Sequence, residues 1–479
     1  MTHQHEPFDQ GLTRRQVLQA CGAFAFAAGL IGPLQASNPS GGRSNLRVKN
    51  LIWIQVNGGL SHLDTFDPKP SAPEGIRSPY QTIPTRLPGV RFTELLPRLA
   101  AVADRIRLIR GMHQIVPGSA HTDGSHRIMT GQSDVRKDHP YFGSVVARLN
   151  PATRPVPSYV WIQELVDVDP RYRQGGAHAP FFVTAGYGAE SAYEANYARL
   201  GIAGTLAQGR TLTAADLRRR HTLLEQVMPF QNPRLAHPRS EEFCRHQHNA
   251  MELLTSNDTR DAFALEREPD AIRRRYGYTP IGQNLLTARR LLERGVRAVG
   301  MPAWAGDFPG QPTCGGGRNM WDHHYCGMFR DDFTGGYGFM VPRVDQALAA
   351  LIEDLQQRGM LSGTLVVMTS EMGSSPQVGR YGNEGAIRGL SAEILNDQRG
   401  RNHWPQCWTA LLAGAGVTGG VYGASDRSGA YPDASRAVSP EIFGATMYHA
   451  LGIPPDTLLD SANPLSKVSN GQPLIEVFS

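Results

Sequence analysis

At 479 residues, 40% hydrophobic and 19% charged, the chain carries enough apolar material for a buried core, which excludes a disordered chain and a fibrous repeat. Forty-eight basic residues against 43 acidic ones leave a formal charge of only +5, and no Lys/Arg run interleaves with aromatics, so no nucleic-acid partner is expected. The 52 glycines and 34 prolines point to long ordered loops laid on a scaffold rather than to a helical bundle.

The first element in chain order is an address. Thr13-Arg14-Arg15-Gln16-Val17-Leu18 precedes a weakly apolar run from Ala20 to Ile31, then Pro33 and Ala36. Charge, apolar stretch and small-residue cleavage region follow in the order of an export signal, and the paired arginines resemble the twin-arginine type, so residues 1–36 read as a removable signal. Cys21 stands before most of the apolar run and does not suit a lipidation site. The apolar run is short for a span of about 20 residues, and no later segment is apolar enough to cross a bilayer. The expected location is therefore periplasmic or secreted, with the twin-arginine export machinery as a partner. That route carries folded cargo and suits a protein loaded with metal before it crosses.

Beyond the signal, 48–56 reads as a buried strand ending in the turn Asn57-Gly58-Gly59. Residues 92–103 read as a helix and 106–110 as a second strand. Leu285, Ala288 and Leu292 mark a helix face ahead of the apolar run 296–300. Val344, Leu348, Leu351, Ile352 and Leu355 keep helical spacing ahead of a strand at 364–368. A last strand at 408–413 precedes a helix at 441–451. Helix followed by apolar strand, repeated, predicts an α/β domain over 37–479 with a mostly parallel sheet and helices on both faces. Residues 205–294 break that rhythm and read as a helical insertion or cap. Of the cysteines beyond the signal, Cys314 and Cys326 are placed to clip a Gly-rich loop, and no zinc-type Cys/His spacing is present.

Carboxylates and imidazoles recur after these strands. His62, Asp64 and Asp67 follow the first strand, and His113, His121, Asp123 and His126 the second. Asp322-His323-His324 follow the third, Glu371 the fourth, and His403 stands before the last. A parallel sheet gathers such loops at one rim, where oxygen and imidazole donors would hold a divalent cation. Each residue also has a structural reading. Asp67, before Pro68, suits a turn and Asp64 a cap on the loop, and Glu371 suits an ion pair with an arginine such as Arg401. His403 suits a packed histidine, and only one of His323 and His324 can point inward. In 120–130 a helix start would offer amides to an anion, with the Thr122 or Ser125 hydroxyl beside it; N-capping by Asp123 or Ser125 is the alternative.

Several blocks in order resemble an exported bacterial family, domain-of-unknown-function family 1501, grouped with the alkaline phosphatase and sulfatase superfamily. They are Gly58-Gly59-Leu60-Ser61-His62-Leu63-Asp64-Thr65-Phe66-Asp67-Pro68, Arg127-Ile128-Met129-Thr130-Gly131, Trp321-Asp322-His323-His324, Thr369-Ser370-Glu371-Met372-Gly373 and Arg401-Asn402-His403-Trp404-Pro405. The resemblance implies an alkaline phosphatase-like fold and, by position, Asp64 as the first-strand metal carboxylate, Asp322 and His324 as the middle pair, and His403 as the late histidine. The superfamily's Asp-His-Gly is here Glu371-Met372-Gly373. Asp123 occupies the place of the sulfatase cysteine, so the standard formylglycine mechanism is not expected.

These readings combine into an exported metal-dependent hydrolase of phosphate or sulfate esters. Asp64, Asp322, His324, Glu371 and His403 would hold a divalent ion (zinc, calcium or manganese), Thr122 or Ser125 would be the catalytic hydroxyl, and the substrate would be an anionic ester or glycan. The alternative is a degenerate superfamily member that acts as a periplasmic glycan- or protein-binding scaffold.

Overall fold

The computed structural model describes residues 50–114, 121–133, 139–154, 156–162, 181–183, 219, 222, 261–306, 321–322, 327–331, 336–380, 399–459 and 467–479. Its centre is an eight-stranded sheet. The strands are β1 (Asn50–Val56), β2 (Ile106–Met112), β3 (Tyr159–Ile162), β4 (Phe181–Val183), β5 (Ala298–Pro302), β6 (Thr364–Ser370), β7 (Trp408–Ala413) and β8 (Gly420–Tyr422), in the order β8-β2-β7-β6-β1-β5-β3-β4. Every pairing is parallel except those of β7, which runs antiparallel to both β2 and β6. The mostly parallel α/β sheet expected from the sequence is thus present.

Alternation along β1 explains its central place. Ile52, Ile54 and Val56 enter one apolar cluster and Leu51 and Trp53 the other, as a two-residue period requires of a strand covered on both faces. The first cluster is closed by helices α1 (Pro97–Ala101), α4 (Asp270–Tyr276), α5 (Pro280–Glu293) and α6 (Tyr337–Gln357). The second is closed by α2 (His121–Thr130), α3 (Phe142–Leu149) and α7 (Pro440–Ala450). On α6 the predicted stripe Leu348, Leu351, Ile352 and Leu355 is fully buried, each side chain stabilising the fold by about 1.5–3 kcal/mol. Side-chain caps with proline at the first turn start two helices: Thr279 accepts from the Gly282 amide before α5, and Ser439 from the Ile442 amide before α7.

The segment 92–103 departs from the expected helix. Arg91–Thr93 is a strand paired with Thr82–Pro84, and only Pro97–Ala101 is α-helical, with a 3-10 turn starting at Ala103. Proline disfavours helical backbone in the residue before it, so Pro97 can open a helix but not continue one from Phe92. The short helix is capped from a distance: the Asp345 carboxylate on α6 accepts from the amides of Arg98 (3.0 Å) and Leu99 (2.7 Å). The strand expected at 296–300 begins two residues later, because Arg294 ends α5 and Gly295 turns the chain at φ 102°.

The part of the 205–294 segment that is described, apart from isolated positions, is 261–294, where α4 and α5 pack on α6 in the layer beside the sheet. The signal at 1–36, and Cys314 and Cys326, lie outside the described residues. Among the described residues no helix is long and apolar enough to cross a membrane. Cys407 is buried and unpaired there, and burial pushes its thiol up to about 12, which keeps it unreactive.

Candidate metal centre

The parallel strands β1, β2, β5 and β6 all end at one rim, the side of an open α/β sheet where ligands gather. Glu371 follows β6 directly, and Asp322 lies on the chain between β5 and α6. His403 comes from a two-residue strand, His403–Trp404, paired antiparallel with Gly373–Ser374. His121 is the first residue of α2. Two glycines let these pieces close. Gly58 takes φ 120°, and a Cβ there would collide with the backbone of Trp321 and Asp322. A Cβ on Gly124 would press on the Glu371 side chain at 3.3 Å, so a larger residue would push α2 away from the rim.

His121 Nε2 lies 3.3 Å from Asp322 Oδ2, and His403 Nε2 lies 2.9 Å from Asp322 Oδ1. The imidazole rings of His121 and His403 meet edge to face at 4.5 Å. One donor atom from each of the three residues falls within 4.8 Å of the others. Divalent zinc binds imidazole and carboxylate at about 2.0–2.2 Å, which places neighbouring donors roughly 3–3.5 Å apart; the two His–Asp322 separations are close to that, and the three donors would draw together to hold a cation.

Glu371 stands behind this group. Its Oε1 accepts from His121 Nδ1 at 2.8 Å and from the Gly58 amide at 2.6 Å, and its Oε2 from Gln55 Nε2 at 3.3 Å. With its carboxylate fully buried and engaged by these donors, Glu371 lies behind His121 and outside the group of three, not among them as expected from sequence. Burial alone would lower the His121 pKa, but its hydrogen bonds and charge contacts with Asp322 and Glu371 outweigh that and raise it to about 10.

Asp64 leaves the expected ligand set. It is 0% exposed, and Arg401 grips it through Nε (2.6 Å to Oδ2) and Nη2 (3.2 Å to Oδ1), with Ser61 Oγ at 2.5 Å. Burial raises the Asp64 carboxyl, but the Arg401 charge outweighs it and holds the group below the usual carboxylate range. Arg401 also donates to the carbonyls of Ile76 (2.9 Å) and Pro376. The Asp64–Arg401 pair therefore anchors the arm that carries His403, and Arg401, read from sequence as a partner for Glu371, belongs to Asp64. Asp67 is likewise engaged, by Arg110 (3.0 Å), Lys69 (3.1 Å) and Ser425 Oγ (2.5 Å).

Of the remaining expected residues, His324 and the side chain of Thr122 lie outside the described residues. Ser125 is 1% exposed, one helical turn on from His121, and its Oγ has no hydrogen-bond partner among the described residues. His121 itself was not selected from sequence. The signal for it was a histidine opening a helix just after a rim strand, but the hydroxyls beside it drew the reading.

By structure, the chain is similar to the phosphonate monoester hydrolase SpPMH from Silicibacter pomeroyi, with 11% identity and a TM-score of 0.36 over 90% of this chain and 76% of that one. It is similar also to the lipoteichoic acid synthase LtaP from Listeria monocytogenes, with 10% identity and a TM-score of 0.33 over 90% and 78%. A third is the PsFucS1 sulfatase from Pseudoalteromonas sp., with 9% identity and a TM-score of 0.36 over 90% and 72%. No curated protein matches the chain by sequence. The model of the family described as Protein of unknown function (DUF1501) matches residues 48–478, and the chain belongs to that family.

Proposed function

We propose that this chain is an exported, metal-dependent hydrolase of phosphate or sulfate esters. The observation that carries the reading is the convergence of His121, Asp322 and His403 on one point, with Glu371 bonded to the far nitrogen of His121. Two imidazoles and one carboxylate would hold a divalent ion and leave a coordination position for substrate or water, the pattern of catalytic rather than structural sites. Such an ion, when bound, supplies Lewis acidity to a phosphoryl or sulfuryl oxygen and acidifies a bound water. Glu371 accepts the Nδ1 proton of His121 and so fixes the ring with Nε2 toward Asp322. Gln55 and the Gly58 amide hold Glu371 in turn. Thr122, next to His121 in the first turn of α2, is the hydroxyl candidate that suits this reading, since Ser125 is buried too deeply to meet a substrate.

A second reading, a non-catalytic scaffold for a glycan or a partner protein, is favoured by one feature. A protonated His121 pairs with Asp322 and Glu371 at once and offsets one of their two negative charges without a metal. Metal analysis of protein purified without chelator, combined with a panel of chromogenic phosphate and sulfate esters, separates the two. The hydrolase reading expects close to one equivalent of zinc, calcium or manganese, and turnover abolished by His121→Ala. Less than about a tenth of an equivalent with no turnover contradicts it. Export is tested by fusing residues 1–36 to a folded reporter, which Arg14→Lys with Arg15→Lys should retain in the cytoplasm.

A further inference from the structure

The loop 425–431 is held more firmly than a surface loop requires, and the large side chain it presents is Tyr431. Tyr431 is 52% exposed, and only Leu458 and Ile475 join it among exposed large hydrophobics of the described residues. Inside the loop, Asp426 Oδ1 accepts from the Ser428 amide (2.9 Å), the Ser428 hydroxyl (2.8 Å) and the Ala430 amide (2.9 Å), and the Asp426 amide donates to the Tyr431 carbonyl at 2.8 Å. From behind, three side chains staple it. Ser425 Oγ donates to Asp67, His62 Nε2 donates to the Gly429 carbonyl at 2.9 Å, and Trp404 Nε1 donates to the Ala430 carbonyl at 2.6 Å. His62 is fully buried, and burial lowers it to about 4, so it stays a neutral donor. Gly429 at φ 72° completes the turn against Leu63.

These staples account for His62 and Asp67, two residues of the first-strand loop that the metal centre does not use. They fix Tyr431 edge to face with the half-buried Trp404, ring centroids 5.7 Å apart at 64°. Trp404 directly follows His403. Surface loops normally move, whereas this one is tied from within and from behind and presents an exposed ring that adds little to the core. A ring held in place before binding loses little freedom when a partner covers it.

We propose that Tyr431 and Trp404 form a preorganised platform that takes a pyranose ring of a glycan beside the metal centre. The proposal deepens the hydrolase reading, and rests on it, by naming the alcohol part of the ester as a saccharide chain. A pyranose offers a flat face of C–H groups to an aromatic ring while its hydroxyls stay in water. Successive residues of a strand point to opposite sides, so His403 and Trp404 serve different rings. The platform holds a neighbour of the esterified sugar and not that sugar itself.

The test reads binding on chelator-treated protein, so that it stands apart from turnover. Tryptophan emission is followed during titration with sulfated and desulfated galactan, cellulose and chitin hexasaccharides, with benzyl alcohol as the aryl control. At least one hexasaccharide should bind saturably below millimolar concentration, with tenfold or greater weakening by Tyr431→Ala and recovery in Tyr431→Phe, whose ring face is intact. Binding that persists after His121→Ala would support the platform even if hydrolysis fails. No saturable binding by any hexasaccharide, binding indifferent to Tyr431→Ala in a variant with unchanged thermal unfolding, or equal competition by benzyl alcohol would each overturn it.

Discussion

Two buried acid–base groups share the rim of the sheet, and they differ in the base. Asp64 is closed by Arg401, while Asp322 and Glu371 are joined by His121, with His403 on the other Asp322 oxygen. A guanidinium never gives up its proton and occupies both carboxylate oxygens, so the Asp64 pair is permanently complete. An imidazole can exchange a proton for a cation, so the Asp322 group can be a site. The identity of the base, more than the number of carboxylates, separates the closed pair from the group that could take a cation.

The largest effect expected from breaking this contrast is on the framework side. Arg401→Met leaves Asp64 buried without its partner and should destabilise the fold by about 3–5 kcal/mol, read by urea unfolding at pH 7. Acid sharpens the same point. The folded-state pKa of Asp64 lies below its unfolded value of about 3.9, so the folded state binds fewer protons than the unfolded one in that range. Its contribution is complete above about pH 5 and is lost as the pH falls through the unfolded value toward the folded one. The gap between the wild type and Arg401→Met should therefore narrow from pH 5 to pH 3; a constant gap would mean that Asp64 does not supply it.

On the site side the order reverses, with binding affected more than folding. Asp322→Ala removes the carboxylate common to both histidines and should abolish stoichiometric metal while leaving the unfolding midpoint within a few degrees of wild type. Glu371→Gln keeps the shape but weakens the hold on His121, and metal affinity should fall about 10- to 100-fold by calorimetric titration. The smallest change is a control outside both groups: Ser439→Ala removes the α7 cap and should cost about 1 kcal/mol with metal content unchanged.

Much of the framework was legible because hydrophobic period survives in sequence. The strand at 408–413 is found as read, and the stripe on α6 and the helix that ends in α7 are found with shifts of a residue or a few. Pro97 was the readable warning against a helix from Phe92. The site was legible only as a rim. Sequence order places Asp64, Asp322, Glu371 and His403 after or before rim strands, yet which acid meets an arginine and which meets an imidazole depends on loop paths that no spacing encodes. Asp64 and Glu371 look equivalent in the chain and differ by the neighbour each finds 337 and 250 positions away.

X-ray absorption at the zinc edge of zinc-loaded protein tests the metal centre most directly. Two imidazole shells and one carboxylate oxygen at about 2.0–2.2 Å, with one imidazole lost in each of His121→Ala and His403→Ala, is the predicted spectrum. Zinc that fails to bind, or a spectrum unchanged by both substitutions, would contradict the assignment.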